Sequence, residues 1–278
     1  MHVPLACSVR KCGRPLERHA NAWTCANGHS FDVARSGYVN LLQPQDRRST
    51  HAGDPLAAIE ARGRLLAAGI GMGLLDGIAA ATMALGLSDD AVIVDLGCGG
   101  GEMLGKLDAR HVARAIGIDL AHAAVARAAK ALPVLTWVVA NADRRLPLLE
   151  ASVNLIWSVH ARRNPVECAR VLATDGWLLI AVPAPDDLVE LRQAVFGGRV
   201  DHQRGDGVVA EHEPYFALES RSEHREQLTL DADRLRDLLT GTYRGARTAV
   251  SDQRAALETM TVTLASEILL FRPRGRRV

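Results

Sequence analysis

The sequence predicts an α/β fold with a parallel sheet, preceded by a small metal-knotted head, and three observations carry that expectation. Of the 278 residues 48% are hydrophobic but only 4% aromatic, so the core must be built from Ala, Leu, Val and Ile, as in sheets covered on both faces. From residue 91 onward short apolar runs alternate with helical stretches, the pattern of right-handed βαβ crossovers. Three of the five cysteines fall within the first 25 residues, with a histidine close behind. The length suits one catalytic core plus a small appended module, which excludes a disordered chain, and the shortage of Tyr and Trp disfavours a β-sandwich.

The head comes first. Cys7, Cys12, Cys25 and His29 are spaced Cys-x4-Cys, twelve residues, then Cys-x3-His, within a basic segment rich in turn residues. Two short chelate loops delivering two ligands each suit the closed tetrahedron that zinc prefers, so a structural rather than a catalytic zinc is expected. With so little apolar content, the first forty residues are expected to draw their folding free energy from the metal. His19 is an alternative fourth ligand, though its isolation between the Cys pairs fits chelation less well. The competing reading, unrelated thiols beside a surface histidine, is disfavoured by the clustering. An odd cysteine count and the lack of a leader pattern argue against a disulfide framework and for a reducing cytoplasm.

Net charge is only +1, but residues 1–50 carry seven Lys/Arg against three Asp/Glu. Arg10, Lys11, Arg14, Arg18, Arg35, Arg47 and Arg48 form the basic set, which suits phosphate contacts; a solvated surface accounts for it as well. The chain holds three lysines and thirty arginines, a bias that a high-GC genome also produces. Leu65–Leu87 is apolar enough to suggest a membrane span, yet Asp76 and five glycines interrupt it, so two buried helices and no membrane partner are expected.

In the core, residues 91–96 read as a buried strand running into Asp95-x-Gly97-x-Gly99-Gly100-Gly101, with a helix expected over Glu102–Ala109. A dinucleotide fingerprint would lead with glycine; here an acid comes first. Asp95 would repel a pyrophosphate but suits a cationic amino-acid end, which points to S-adenosylmethionine. A second strand, Ala113–Ile118, ends at Asp119, placed to accept ribose hydroxyls. Further strands follow over Val134–Ala140, Val153–Ser158 and Gly176–Val182, with helices over Ala121–Ala131 and Pro165–Ala173. Asn141 or Asp143 would face the adenine edge, and Ser158 and His160 would border the methyl group. Asp143 reads equally as a turn residue. Cys98 and Cys168 read as small buried hydrophobes. In the last third, His202–Glu213 reads as a mobile loop, Glu226–Leu230 and Thr261–Phe271 as strands around a helix at Ala232–Leu239, and the terminal arginines as a disordered tail.

These residues converge on a family. The Cys/His head, the joining segment Phe31–Leu42, Ala61-Arg62 with Leu65-Leu66, the acid-first glycine turn, Arg163-Asn164-Pro165 and Val182–Leu191 follow one another as they do in the 23S rRNA guanine-N1 methyltransferases, which this chain resembles from Cys7 to about Leu191. The resemblance implies a Rossmann-like class I S-adenosylmethionine-dependent methyltransferase fold with an N-terminal zinc ribbon. It implies a zinc-binding RNA-recognition domain over 1–42, a helical linker over 43–88 and a methyltransferase domain over 89–278. It further implies methyl transfer to N1 of a guanine in a 23S rRNA stem-loop, homodimers with a basic cleft and, in some members, macrolide resistance.

Three departures fall near one pocket. Gly69-Ile70-Gly71 stands where the family has Gly-His-Tyr, His160-Ala161-Arg162 where it has aromatic-Ala-Pro, and Asp187 where it has histidine. Guanine N1 carries a proton that must leave, so a base is needed; His160 is the first candidate and Asp143 the second. Arg162 would pair with an RNA phosphate or with guanine O6. Two other classes compete: a small-molecule methyltransferase, and an RNA-binding homologue whose altered pocket has lost the cofactor.

Overall fold

The computed structural model describes residues 3–44, 53–197, 204–241 and 257–275. Arg47, Arg48, Arg276 and Arg277 lie outside the described residues. The head is a three-stranded antiparallel sheet of β1 (Leu16–Arg18), β2 (Ala22–Cys25) and β3 (Ser30–Asp32). It leads through a turn into β4 (Val39–Asn40), then helices α1 (Leu56–Ala67) and α2 (Met72–Ala84). The core follows as β5 (Ile93–Leu96), β6 (Ala115–Asp119), α3 (His122–Ala131), β7 (Thr136–Val139), β8 (Val153–Val159), α4 (Pro165–Val171) and β9 (Leu172–Pro183). The last part comprises α5 (Val189–Phe196), α6 (Arg204–His212), β10 (Phe216–Leu230), α7 (Ala232–Gly241) and β11 (Met260–Pro273).

One eight-stranded sheet runs in the order β10-β11-β9-β8-β5-β6-β7-β4. Strands β4 to β9 in it are parallel to one another, while β11 is antiparallel to both β9 and β10. This is the sheet of a class I methyltransferase with one additional strand, β4, contributed by the segment that leaves the head.

Residues along the strands alternate between two cores, as the period of two demands. Val94, Leu96, Ile116, Ile118 and Ile156 face one cluster; Ile93, Ala115, Leu155, Trp157 and Trp137 face the other, with Leu74, Leu75 and Ile78 of α2 and Val125 of α3. The first cluster also contains Leu5, Leu16 and Trp23 of the head. A buried parallel sheet needs a cover on both faces, and the head supplies part of one. Beside the folding free energy expected from the metal, the first forty residues contribute fully buried apolar side chains to the main core.

The apolar stretch 65–87 forms parts of α1 and α2, which break at Gly69 and Gly71, both left-handed. Among the described residues no single helix is long and apolar enough to cross a membrane; α1 and α2 satisfy the length and composition only as a pair bent by 78°.

Three local expectations need correction. No α-helix follows the glycine turn over Glu102–Ala109; the chain makes one 3-10 turn at Leu104–Lys106, because Met103 and Leu104 drop straight into the core. The described part of the expected loop 202–213 is helix α6, held by buried Val208 and His212, the latter stacked on Phe271 with ring centroids 5.6 Å apart. At the C-terminus, Arg272 lies in β11 with its guanidinium over Trp177, and Arg274 donates to the Phe216 carbonyl, so neither belongs to a tail.

Candidate active site and metal centre

Cys7, Cys12, Cys25 and His29 converge, with ligand atoms within 4.8 Å of one another. The Cys12–Cys25 sulfurs are 3.8 Å apart, and His29 Nδ1 is 3.4 Å from Cys7 Sγ and 3.5 Å from Cys25 Sγ. A tetrahedron with Zn–S of about 2.3 Å and Zn–N of about 2.0 Å has edges of about 3.8 Å between sulfurs and about 3.5 Å between sulfur and nitrogen. The donor set fits zinc, and it takes His29 rather than His19. Each chelate loop turns through a left-handed backbone, at Lys11 and Gly13 in one and Gly28 in the other. Asn27 Nδ2 donates to Cys12 Sγ at 3.3 Å, a contact that orients a thiolate and that spacing alone could not reveal.

The glycine turn lies at the carboxyl ends of β5 and β6. Gly97, Gly99 and Gly101 all have positive φ. Two of them are required by packing as well: a Cβ on Gly97 would lie 2.3 Å from Ala161 Cβ, and one on Gly101 2.5 Å from the buried Trp137 ring. Gly100 leaves room for the Glu102 carboxylate, which folds back over the turn.

Three carboxylates, Asp95, Glu102 and Asp119, gather here. Asp119 accepts hydrogen bonds from Gly99 N at 3.0 Å and Ala121 N at 2.8 Å, fixing the turn to the start of α3. Asp95 is 2% exposed and has no hydrogen-bond partner among the described residues. Desolvation, with Asp119 and Glu102 adding repulsion, raises its pKa to about 8. An orphaned acid in an acidic pocket fits a cationic ligand and disfavours a pyrophosphate.

The sign of the pH dependence follows. The unfolded chain loses this proton near pH 4, whereas the folded protein keeps it to about pH 8. The stability this group contributes is fully present below about pH 4 and is lost as pH rises through 8. A cation bound beside Asp95 favours its ionised form, so cofactor binding at pH 7 should release a proton. Calorimetry in two buffers of different ionisation enthalpy measures that release, and Asp95→Asn should abolish it; equal proton release in the variant would remove Asp95 from the site.

Asn141 is buried after β7, its Oδ1 accepting from Asp143 N at 3.0 Å. The Asp143 carboxylate is paired with Arg162 at 2.8 Å, and Asn164 Nδ2 reaches the Asp143 carbonyl at 3.4 Å. Ser158 is fully buried, and its hydroxyl donates to the Ala161 carbonyl at 3.4 Å, which commits it to the turn after β8. Asn164 caps α4 through Val166 N and Glu167 N with Pro165 in the first turn, as the Asn-Pro pair implies.

His160 stands at the end of β8 with φ of 52°, and its Nε2 lies 2.9 Å from Ser266 Oγ on β11. His160 is exposed as a residue, and desolvation where it packs, with the Arg204 and Arg62 charges adding, lowers its pKa, which favours the neutral imidazole at pH 7. Asp187 accepts from Ala265 N at 3.0 Å, and burial raises its pKa to about 6. Ser266 is a residue that sequence reasoning did not identify. Cys98 and Cys168 are buried free thiols with raised pKa values, as inert packing residues should be.

Fold and site together define a class I S-adenosylmethionine-dependent methyltransferase carrying a structural zinc ribbon. Residues 6–50 match the zinc-ribbon family described as "RlmA, N-terminal", and residues 93–176 match a methyltransferase domain family. The chain is 36% identical to the 23S rRNA (guanine(748)-N(1))-methyltransferase of Streptomyces fradiae over 81% of its own length and 80% of the relative's. It is 34% identical, over 97% of both chains, to a Micromonospora griseorubida protein provisionally named 23S rRNA (guanine-N(1)-)-methyltransferase. Among solved structures, the YcgJ protein of Bacillus subtilis matches the fold with a TM-score of 0.51 and 17% identity, covering 73% of this chain and 98% of that one. The chain belongs to the 23S rRNA (guanine-N1) methyltransferase family.

Proposed function

We propose that this protein transfers the methyl group of S-adenosylmethionine to N1 of a guanine in a 23S rRNA stem-loop. The observation that carries the reading is the joining of an orphaned acid at a methyltransferase turn to a Cys3His zinc head in one continuous core. In the assignment that fits best, residues 1–42 recognise RNA, 43–88 link, and 89–278 carry the chemistry in the cytoplasm. Asp95, with Gly97, Gly99, Gly100 and Gly101, would hold the amino-acid end, Asp119 the ribose, and Asn141 and Asp143 the adenine edge; Ser158 would shape the wall beside the methyl group. A homodimer that completes the RNA cleft and a role in macrolide resistance belong to the same reading.

The bound cofactor supplies an electrophilic methyl on a sulfonium. The protein's part is to hold the flipped-out base in line and to take its proton. With Nε2 engaged by Ser266, His160 Nδ1 is the nitrogen free to accept the N1 proton. As the methyl group passed from the bound cofactor, the guanine N1 proton would become more acidic and would pass to the neutral His160 imidazole. Asp143, paired with Arg162, serves better as a latch between the loops after β7 and β8 than as the base. His160→Ala should lower kcat about 10²-fold with the cofactor Kd unchanged; an unaltered kcat would exclude His160.

The head's cations support an RNA partner. Arg10, Lys11, Arg14 and Arg35 are exposed and form no ion pair among the described residues, whereas the arginines of β10 and α7 are paired with Asp or Glu. Arg144 and Arg145 extend this set toward the cleft: both are exposed, and Arg145 lies beside Gly13 of the first chelate loop. Replacing both by alanine should weaken RNA binding and reduce the slope of log K against log salt by about 1–2. An unchanged slope would place the RNA elsewhere.

Nucleoside mass spectrometry of 23S rRNA from a host lacking its own enzyme, with and without this chain, tests the whole reading. New 1-methylguanosine is expected; its absence, with RNA and cofactor both bound, would favour the inactive homologue.

A further inference from the structure

The segment that leaves the zinc cluster is built into the cofactor side of the sheet. His29 leads into β3, whose end is linked to β4 by the Val33–Val39 bridge and by a turn in which Ala34 N donates to the Tyr38 carbonyl at 2.8 Å. Strand β4 is then the outer neighbour of β7: Val39 pairs with Val138, Asn40 with Val139, and Leu41 N donates to the Val139 carbonyl at 3.0 Å. Asn141 lies two residues beyond that bond.

The same segment reaches the second cofactor strand. Tyr38 packs edge-on against His122, the first residue of α3, with centroids 6.1 Å apart. That helix begins where Asp119 binds Ala121 N. On the other side of the cluster, Ala6, next to Cys7, donates to the Pro147 carbonyl at 2.9 Å, and Pro4 accepts from Leu149 N at 2.9 Å. Residues adjoining both halves of the metal site thus grip β7 and the loop after it. Glu167 and Arg170 of α4 hold Leu146 and Leu148 in that loop, while the carboxyl end of β7 lies between β6 and the head's β4, with Ala140 N donating to the Asp119 carbonyl at 3.1 Å.

We propose that Tyr38–Leu42 is a positioning strand for the cofactor site, which couples zinc at Cys7, Cys12, Cys25 and His29 to S-adenosylmethionine at Asp119 and Asn141. This rests on the cofactor assignment above. Binding two ligands to one shared element makes their affinities reciprocal: each raises the other by the same factor.

The test uses the full chain. Cofactor affinity is measured by calorimetry on zinc-loaded and chelator-stripped protein, and zinc loss to a chromophoric chelator is timed with and without saturating S-adenosylmethionine. Stripping should raise the cofactor Kd at least about fivefold, and saturating cofactor should slow zinc loss. Hydrogen exchange separates positioning from general unfolding: on zinc removal the amides of 39–42 and 138–141 should lose more protection than those of β8 and β9. A cofactor Kd within twofold in both forms, or uniform loss of protection across the sheet, would overturn the coupling. Zinc-loaded protein that binds no cofactor at all would instead refute the functional reading.

Discussion

Replacing Asp119 by alanine is expected to weaken S-adenosylmethionine binding by about 100-fold or more while leaving zinc content unchanged. The carboxylate does two tasks. It holds Gly99 N and Ala121 N, and it keeps lone pairs free for two hydroxyls on the ligand. Hydrogen bonds to a charged group are worth about 1.5–3 kcal/mol each, so losing two bonds to the ligand costs about 3–4 kcal/mol or more, and every 1.4 kcal/mol is tenfold in affinity. The backbone of the turn loses its tie to α3 as well, which adds to the loss. Asp119→Asn, which retains an acceptor without the charge, should fall between wild type and alanine. Calorimetry checks both; an alanine variant within threefold of wild type would remove Asp119 from the ribose site.

The second large effect is expected from Cys25→Ser. Cys25 is buried and close to both Cys12 and His29, so its loss opens the tetrahedron. Structural zinc contributes on the order of 10 kcal/mol to small domains that depend on it. A tethered finger would spend that loss on itself alone. Here Leu5, Leu16 and Trp23 cover one face of the main sheet beside Val94 and Ile116, so the melting temperature of the whole protein should fall, together with metal content and RNA binding. Thermal unfolding followed at the tryptophans is the measurement. Trp137 and Trp157 lie in the methyltransferase core and Trp23 in the head, and a single shared transition is expected. Two transitions, with the core one unmoved, would show that the head is an independent unit.

Much of this site is legible in the amino-acid order because its chemistry is local. Cys-x4-Cys and Cys-x3-His set their own chelate rings, and an apolar run followed by Asp95-x-Gly97 announces a strand end whatever surrounds it. Elements whose stability comes from distant partners were harder to read. Helix α6 contains Gly205 and Gly207 and looks like a loop; Gly205 is required because a Cβ there would lie 2.0 Å from the Glu267 carboxylate, and the helix is secured by Val208 and His212. Strand β10 runs over fifteen residues, most of them polar, because as an edge strand it is held mainly by its ladder to β11. Only Glu226–Leu230 carried a recognisable signal.

The three departures from the family pattern also change meaning in three dimensions. Gly69 and Gly71 form the break between α1 and α2, with Ile70 buried between them. Arg162 gains a partner in Asp143, and Asp187 one in the Ala265 amide.

By itself, the order of residues determined the zinc ligands, the acid-first turn and the succession of strands and helices, since each depends on neighbours a few positions apart along the chain. Only the folded molecule decided that Ser266 holds His160 across 106 residues, that Asp143 is latched by Arg162, and that the head forms part of the main core. Those contacts arise where burial of apolar surface closes long loops, and which distant groups then meet is set by the packing of the whole sheet.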